Sequence, residues 1–336
     1  MPGEQPTPIL LTGAGFTNDF GGYLAKDMWS EIFNQKTVQA IPRLQEAMRH
    51  GEGAFNFEEV YDKVVYGDFS EPEKAEMAQA VRNAYGTLDE IIRAFRQTPT
   101  SISLNHLARF IERFSGTRDD PGLFFTLNQD LLIERRFPFE RSIELPALPK
   151  GERFNTRFNE RPYEQIVIQL PNGSRANDAE VEYPTPRADI LYMKLHGSME
   201  WVSHTGIHRP VIGTQKTRVI FTEPLLRWYL RQFVHAISRF NNRKLVSIGY
   251  GFRDAHINSI IAEACRTKGL RLFVVGPEEP DKFHHQLHGR GEWQRIYPCW
   301  AGYYRCRLSD LFSPSTASRA GEIMLRNLTR AVFEEE

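Results

Sequence analysis

The sequence lacks several features that mark common protein classes. It has three cysteines in 336 residues, and no two of them form a C-x-x-C pair. This spacing argues against a disulfide framework and against a structural zinc site of the usual kind. The P-loop, the H-E-x-x-H helix and the G-x-S-x-G elbow are missing as well. The sequence therefore carries no motif of P-loop nucleotidases, zinc proteases or serine hydrolases.

Net charge and long apolar runs are also missing. The chain has 42 Lys and Arg against 42 Asp and Glu, which gives no global reason to expect nucleic acid or an anionic membrane as a partner. No stretch approaches the ~18 apolar residues of a membrane span. The first residues, MPGEQPTPILL, do not have the pattern of a signal peptide. We therefore expect a folded cytoplasmic protein.

What the sequence does have is a series of short apolar segments, each followed by polar or glycine-rich residues. PILLT at 8–12 leads into GAGFTND, and GLFFT leads into LNQD at 127–130. The segments at 190–194, 244–248 and 271–275 lead in the same way into LHGS, GYGFRD and GP. Ligands of a doubly wound parallel sheet bind beyond the carboxyl ends of its strands. We therefore expect these loops to form one site.

The remaining segments predict helices and two insertions. Apolar residues at helical spacing over 71–95 and 103–114 predict a helical module at about 55–118. Further helices are expected at about 21–33, 131–137, 223–240, 254–269 and 317–333.

Residues 140–188 are rich in Pro, Asn and Arg and predict an irregular insert, with one strand at 164–170. The segment TRVIFT at 217–222 predicts another short strand. Together these patterns predict a single α/β domain over residues 1–336, in which a doubly wound parallel sheet carries both insertions.

The loop after the first strand is the first candidate site. Gly13 and Gly15 favour a close approach of the backbone to a phosphate, and Thr17, Asn18 and Asp19 add polar groups. The dinucleotide fingerprint would have a third glycine at Asn18 and a second strand ending in an acidic residue about 20 residues further on. Their absence disfavours a hydride-transfer domain. The alternative reading is a tight strand-to-helix turn that binds nothing.

The later loops offer an amide, a histidine and two carboxylates. Asn128 could hold a water or a ribose hydroxyl, although Asn128 and Asp130 could equally act as helix caps. His196 follows a strand and precedes a glycine, and its ordinary pKa of about 6.5 suits a general base. A structural histidine is the alternative. Asp254 is expected to be a helix cap first and a site residue second.

Three further histidines lie close together in the sequence, at His284, His285 and His288. No carboxylate or cysteine at ligand spacing accompanies them, so no metal site is predicted.

Four of these segments together resemble the sirtuin family, and more closely its zinc-free bacterial branch of anti-phage defence NAD hydrolases. They are GAGFT at 13–17, LNQD at 127–130, KLHGS at 194–198 and IGYGFRDAHIN at 248–258, in the order of the family. The resemblance implies a Rossmann-like, sirtuin-like domain that binds NAD and cleaves its nicotinamide–ribose bond.

The resemblance also implies roles for individual residues. Asn128 matches the asparagine that orients water or ribose, and His196 matches the catalytic histidine. The implied NAD-binding residues are Gly13, Ala14, Gly15, Phe16, Thr17, Asp19, Asp130, Gly249, Tyr250, Asp254 and Gly276.

Two departures separate the chain from the sirtuin protein deacylases. It has no four-cysteine zinc module, and NDFGGYLAKDMW at 18–29 replaces the usual Pro-Asp-Phe-Arg element. We therefore expect an NAD glycohydrolase that needs no zinc and depletes NAD in anti-phage defence. Protein deacylation or ADP-ribosyl transfer is one alternative. A non-catalytic NAD or ADP-ribose sensor or scaffold is the other.

The resemblance finally implies control by assembly, because NAD depletion is toxic. We expect a homo-oligomer, or a protein partner such as a HerA-class ATPase or an Argonaute-type protein. No membrane and no direct nucleic-acid binding are expected.

Overall fold

The structure, a computed structural model, describes residues 6–50, 55–95, 102–148, 161–162, 165–172, 182–203, 211–213, 215–313 and 319–334. Its strands, in chain order, are β1 (Ile9–Thr12), β2 (Gly122–Thr126), β3 (Ile143–Glu144), β4 (Ile168–Gln169), β5 (Ile190–Lys194), β6 (Trp201–Val202), β7 (Lys244–Ile248), β8 (Arg271–Gly276) and β9 (Trp300–Arg305).

Seven of these strands form one parallel sheet in the order β3-β5-β2-β1-β7-β8-β9, and β4 pairs with β6 separately. From β1 the chain adds β2 and β5 on one side, then crosses to the other side and adds β7, β8 and β9. The direction of winding therefore reverses between β1 and β7, which is where such sheets bind ligands. The predicted α/β class with a doubly wound, Rossmann-like parallel sheet is confirmed.

The central strands are buried on both faces. All residues of β1, β5 and β7 are buried, and their sequences ILLT, ILYMK and KLVSI are almost continuously apolar. Parallel strands covered by helices on both faces have this composition. Lys244 is an exception, and its ammonium donates to the carbonyl of Val332 at 3.0 Å.

Helices make up most of the rest of the described chain. They are Ala14–Asn18, Ala25–Phe33, Lys36–Ala40, Pro42–Arg49, Phe57–Val65, Glu71–Ala94, Leu104–Glu112, Leu132–Arg136, Lys216–Thr222, Pro224–Ser238, Ala255–Lys268, Pro280–Leu287, Trp293–Ile296, Leu308–Leu311 and Arg319–Phe333, with a 3₁₀ turn at Tyr297–Cys299. None of these helices is both long enough and apolar enough to cross a membrane.

The helices predicted between β1 and β2 are confirmed. The longest of them begins with a capping box, in which Ser70 Oγ accepts from the N–H of Glu73 and the Glu73 carboxylate accepts from the N–H of Ser70. Helices in this connection already begin at Ala14, before residue 55. The division of the chain into one domain with two inserts stays a prediction.

A buried ion pair joins this helical region to the helix Leu132–Arg136, which follows β2. Asp89 lies on Glu71–Ala94 and accepts from Arg135 Nε at 2.6 Å, and both side chains are almost fully buried. Burial raises the pKa of Asp89 to about 6, against the opposing effect of Arg135.

Two strand predictions are wrong in type or in length. The segment 217–222 is not a strand but lies in the helix Lys216–Thr222, where only Ile220 is buried and Phe221 is 54% exposed. A short apolar run does not distinguish a strand from one side of a helix, and packing against Pro224–Ser238 decides for the helix. The strand expected at 164–170 is only Ile168–Gln169, and Glu164 is outside the described residues.

Glycines let the turns after β1 and β7 pack backbone against backbone. The N–H of Gly13 donates to the carbonyl of Ile248 at 3.0 Å, and that of Gly15 donates to the carbonyl of Gly249 at 2.9 Å. Gly249 has a φ of +65°, and a Cβ on it would overlap the backbone nitrogen of Phe16. This junction requires glycine for both steric and conformational reasons.

We predict that Gly249→Ala destabilises the fold. The left-handed backbone alone costs about 1–3 kcal/mol for a residue with a side chain, and the overlap with Phe16 adds to it. Urea unfolding followed by tryptophan fluorescence measures the loss. Gly289→Ala is the matched control, because nothing lies within 4 Å of a Cβ at that position. Equal unfolding midpoints for the two variants would contradict the requirement for glycine at position 249.

Candidate functional site

The loops expected to form one site do lie side by side. They follow β5, β2, β1, β7 and β8, which are consecutive in the sheet, and all five strands end at the same edge. The buried hydroxyls of Thr12 and Thr126 join β1 to β2 at this edge, at 2.8 Å.

Asn128 lies at the centre of a hydrogen-bonded network between the first two loops. Its Nδ2 donates to the carbonyl of Gly13 at 3.0 Å and to Thr17 Oγ1 at 2.9 Å. Thr17 Oγ1 in turn donates to Asp130 Oδ2 at 2.9 Å. The structure thus brings together four of the residues expected in the site.

This network fixes the orientation of the Asn128 amide. A backbone carbonyl can only accept, so the amide nitrogen must face Gly13 and both of its hydrogens are used. The amide oxygen is left with no hydrogen-bond partner among the described residues. It can therefore accept a hydrogen bond from a ribose hydroxyl or a water.

The buried ammonium of Lys194 binds the loop that carries Asp130. Lys194 Nζ donates to the backbone carbonyl of Asp130 at 2.5 Å and to Glu134 Oε1 at 2.9 Å. The side chains of Lys194 and Glu134 are both 0% exposed. Burial also raises the pKa of Asp130. The charge of Lys194 lowers it, and so do the hydrogen bonds that the Asp130 carboxylate accepts from Leu132 and Thr17.

His196 lies at the end of β5 and is only 3% exposed. Its Nε2 lies 3.1 Å from Nε2 of His256, the second residue of Ala255–Lys268. Burial lowers the pKa of His196 to about 3, against the opposing charge of Asp254. The imidazole is therefore neutral at pH 7.

A chain of charges continues from the histidine pair. Lys216 donates to Asp254 at 2.8 Å and to Glu58, on the helix Phe57–Val65, at 2.9 Å. Burial raises the pKa of Asp254, but His196, Lys216 and His256 outweigh this and lower it to about 2. Burial raises the pKa of Glu58, even though Lys216 faces it.

One group of side chains in the described chain has the spacing of metal ligands. The ligand atoms of His196, Asp254 and His256 all lie within 4.8 Å of one another. The Asp254 carboxylate is already paired with the Lys216 ammonium, beside which a divalent ion would be repelled. The arrangement therefore favours a hydrogen-bonded network of protein groups.

The remaining predicted residues fall into two groups. Those at the junction of β1 and β7 line the edge: Gly13 and Gly15 pack on Gly249 and Tyr250, and Ala14 is exposed. At the end of β8, nothing lies within 4 Å of a Cβ on Gly276, so the space there is open.

Three predicted residues make their contacts within the protein. Phe16 is buried and its ring lies 6.1 Å from that of Phe137. Asp19 accepts from the N–H of Leu308 at 2.6 Å, and burial raises its pKa. The Tyr250 hydroxyl donates to Asn258 Oδ1 at 2.9 Å, and burial raises its pKa well above the ordinary value.

Three members of the site were not among the predicted site residues: His256, Lys216 and Glu58. His256 was open to discovery, since it stands two residues after Asp254 in a loop already assigned to the site. Lys216 and Glu58 carry no such signal, because they meet the site only through folding.

A cavity of about 20 Å³ lies beside His196 and is also lined by Ser198, Ser203 and Glu223. This volume holds about one water molecule. A dinucleotide is far larger, so it would have to lie along the open edge of the sheet.

Comparison with known proteins gives the family. A domain family described as SIR2-like domain matches residues 122–295, slightly more than half of the chain. The chain therefore belongs to the SIR2-like domain family, within the sirtuin superfamily, whose members are NAD-dependent enzymes. No curated protein matches it. The match includes Asn128, His196 and His256, and it begins after the glycine loop of β1.

We predict that Lys194→Met strongly destabilises the protein. It leaves the Glu134 carboxylate and the Asp130 carbonyl without their buried ammonium, which costs about 3–5 kcal/mol. The midpoint of urea unfolding measures this. Arg266→Ala removes the exposed pair of Arg266 with Glu263 and is the control, with an expected change of at most about 1 kcal/mol. A similar loss of stability in both variants would contradict the proposal that Lys194 stabilises the loop of Asp130.

We also predict that His196 makes stability depend on pH. Its pKa falls from 6.5 to about 3 on folding, so between these values the unfolded chain binds a proton that the folded chain does not. Its contribution is complete above pH 6.5 and is lost as the pH falls toward 3. The unfolding midpoint should therefore decline from pH 7 to pH 4, and less steeply in His196→Gln. His50→Gln, at an exposed position, should keep the wild-type slope; the same slope in His196→Gln would contradict the shift.

Proposed function

We propose that this protein is an NAD glycohydrolase, which converts NAD and water to nicotinamide and ADP-ribose. The observation that carries the proposal is the fixed Asn128 amide. Its oxygen faces away from Gly13 and Thr17 at the edge where the winding of the sheet reverses. A ribose hydroxyl or a water bound there would be held in one orientation.

The chemistry needs few groups. Nicotinamide leaves as a neutral molecule, and the ribose that remains has oxocarbenium character. Catalysis then requires positioning of the reactants and one base for the attacking water. Asn128 supplies the first, and the neutral pair of His196 and His256 supplies the second.

The glycine loop supplies a place for the pyrophosphate. Ala14 is exposed and begins the short helix Ala14–Asn18, whose first N–H groups favour a negative charge. The N–H groups of Gly13 and Gly15 are already used in the junction with β7. The open space at Gly276 would take the adenosine end.

Two other functions compete with this proposal. Protein deacylation or ADP-ribosyl transfer would use the same NAD cleavage but pass the ribose to another acceptor. A sensor or scaffold would bind NAD or ADP-ribose without cleaving it. A histidine pair beside Asp254, with His196 buried and neutral, favours an enzyme, because a binding protein has no need of a base.

We predict that the purified protein releases nicotinamide from NAD without an acylated peptide. Asn128→Ala should lower the rate about 10²-fold or more, because the reacting groups lose their alignment. Chromatography of nicotinamide and ADP-ribose measures the rate. Asn327→Ala, on the exposed side of Arg319–Phe333, is the control and should react like the wild type.

The alternatives give other results in the same assay. Release that requires an acyl-lysine peptide, or transfer of ADP-ribose to protein, would replace hydrolysis by a transferase function. Tight binding of NAD without release of nicotinamide would favour the sensor or scaffold function over hydrolysis. Full activity of Asn128→Ala would contradict the proposed role of Asn128 in positioning the reactants.

For the physiological role, we propose NAD depletion in anti-phage defence. The support is the resemblance of the four sequence segments to that sirtuin-like branch. A homo-oligomer, or a partner such as a HerA-class ATPase or an Argonaute-type protein, would keep the activity restrained until infection.

A further inference from the structure

Residues 211–213 and 215–216 form a segment between β6 and β7 that contacts several loops of the site. The carbonyl of Val211 accepts a hydrogen bond from Nε2 of Gln129 at 2.8 Å. Gln129 is buried and directly follows Asn128 in the loop after β2. Val211 also lines the small cavity of the site. The first part of the segment therefore holds the loop that carries the fixed amide.

The last residue of the segment contacts the loop after β7. Lys216 Nζ donates to Asp254 Oδ1 at 2.8 Å. The Asp254 carboxylate also lies within 4.8 Å of a ring nitrogen of His196 and of His256. A displacement of Lys216 would therefore move a charged group that is a direct neighbour of the histidine pair.

The same segment is fixed to the helical region between β1 and β2. Lys216 also pairs with Glu58 Oε1, on the helix Phe57–Val65, at 2.9 Å. One turn further along this helix, the backbone of Gly213 packs on the Asp62 carboxylate, which a Cβ at position 213 would overlap. Residues one turn apart lie on the same face of a helix. One face of Phe57–Val65 therefore holds the segment at two points.

Lys216 is charged in this place, although its side chain is only 13% exposed. Burial lowers the pKa of the ammonium, but Asp254 and Glu58 outweigh this and raise it. Moving the ammonium away from either carboxylate would leave that carboxylate without compensation, which is costly for a buried group. The ion pairs therefore fix where the Asp254 carboxylate lies, in addition to balancing its charge.

We propose that Lys216 is a positioning residue of the site, which holds the Asp254 carboxylate beside the two histidines and ties it to the helical region through Glu58. The assignment rests on the proposed NAD cleavage, in which the pair of His196 and His256 takes up a proton from water. A carboxylate fixed beside the pair offsets the positive charge that develops there. Because the carboxylate is in place before the reaction, no reorganisation is needed when the proton moves.

The kinetics of Lys216→Met separate positioning from nucleotide binding. Methionine fills much of the same space without a charge, so Asp254 loses its anchor. We expect kcat for nicotinamide release to fall about 10²-fold, as happens when an aligned group is displaced. The KM for NAD and the affinity for ADP-ribose should stay within about threefold of wild type, because a positioning residue acts on the reaction and not on binding. Lys216→Arg can still pair with both carboxylates and should restore kcat to within about tenfold of wild type.

Lys74→Met is the matched control for the loss of a lysine. Lys74 also pairs with a glutamate of the helical region, Glu71, at 3.0 Å, but the glutamate is 87% exposed. Its kcat and KM should equal those of wild type.

Two neighbouring glutamates of one helix form a second matched pair, which carries the test if Lys216→Met does not fold. Glu58→Gln leaves Lys216 without its charged partner in the helical region and should lower kcat with little change in KM. Glu59→Gln, at an exposed position, should react like the wild type. Unfolding midpoints are measured for every variant.

NMR of the histidine rings gives a readout that does not depend on activity. At pH 7.5, the ring signals of His196 and His256, assigned from His196→Gln and His256→Gln, should shift in Lys216→Met. The same signals should be unchanged in Lys74→Met.

Three results would overturn the proposal. The first is wild-type kcat in Lys216→Met or in Glu58→Gln. The second is a loss of ADP-ribose affinity as large as the loss of kcat, which would assign Lys216 to nucleotide binding or to folding. The third is unchanged histidine signals in Lys216→Met. In a wild type that never cleaves NAD, the expected shifts would instead reject the proposed function and support the placement of Asp254 by Lys216.

Discussion

The contact of the turns after β1 and β7 is the constraint on which the site depends. These strands are neighbours, yet the chain reaches β7 only after 231 intervening residues, counted from Gly13 to Arg243. Backbone hydrogen bonds from Gly13 and Gly15 close the junction. The carbonyl of Gly13 then accepts from the Asn128 amide, so the backbone of one loop orients a side chain of the next. A side chain at Gly249 would displace this whole arrangement.

Buried charge is the second organising feature. Lys194 and Lys216 each lie between acceptors from different elements, and neither ammonium faces open solvent. Each charge is satisfied by a carboxylate, which makes its burial tolerable but makes the loss of either partner costly. In the described part of the chain, these ion pairs therefore hold the loops of the sheet edge in place.

The sequence allowed the sheet edge to be predicted but not the contacts made across it. Short apolar runs that end in glycine or polar residues identified β1, β2, β5, β7 and β8, because burial on both faces leaves a clear pattern. The edge strand β9 was missed, since it is half-buried and contains aromatic residues and a glycine. Asn128 and His196 were found from their places at strand ends. His256 was not assigned, although it lies two residues after Asp254, because its contact with His196, 60 residues away in the chain, forms only on folding.

The position of Glu58 has a consequence for control. It belongs to Phe57–Val65, in the helical region between β1 and β2, yet its carboxylate completes the charge balance behind the histidine pair. A displacement of this helix by the length of one hydrogen bond would leave Lys216 with Asp254 alone and make the surroundings of His256 more positive. In the proposed NAD cleavage, a movement of this helix would therefore change proton transfer at the histidine pair through charge alone, at a distance from the nucleotide.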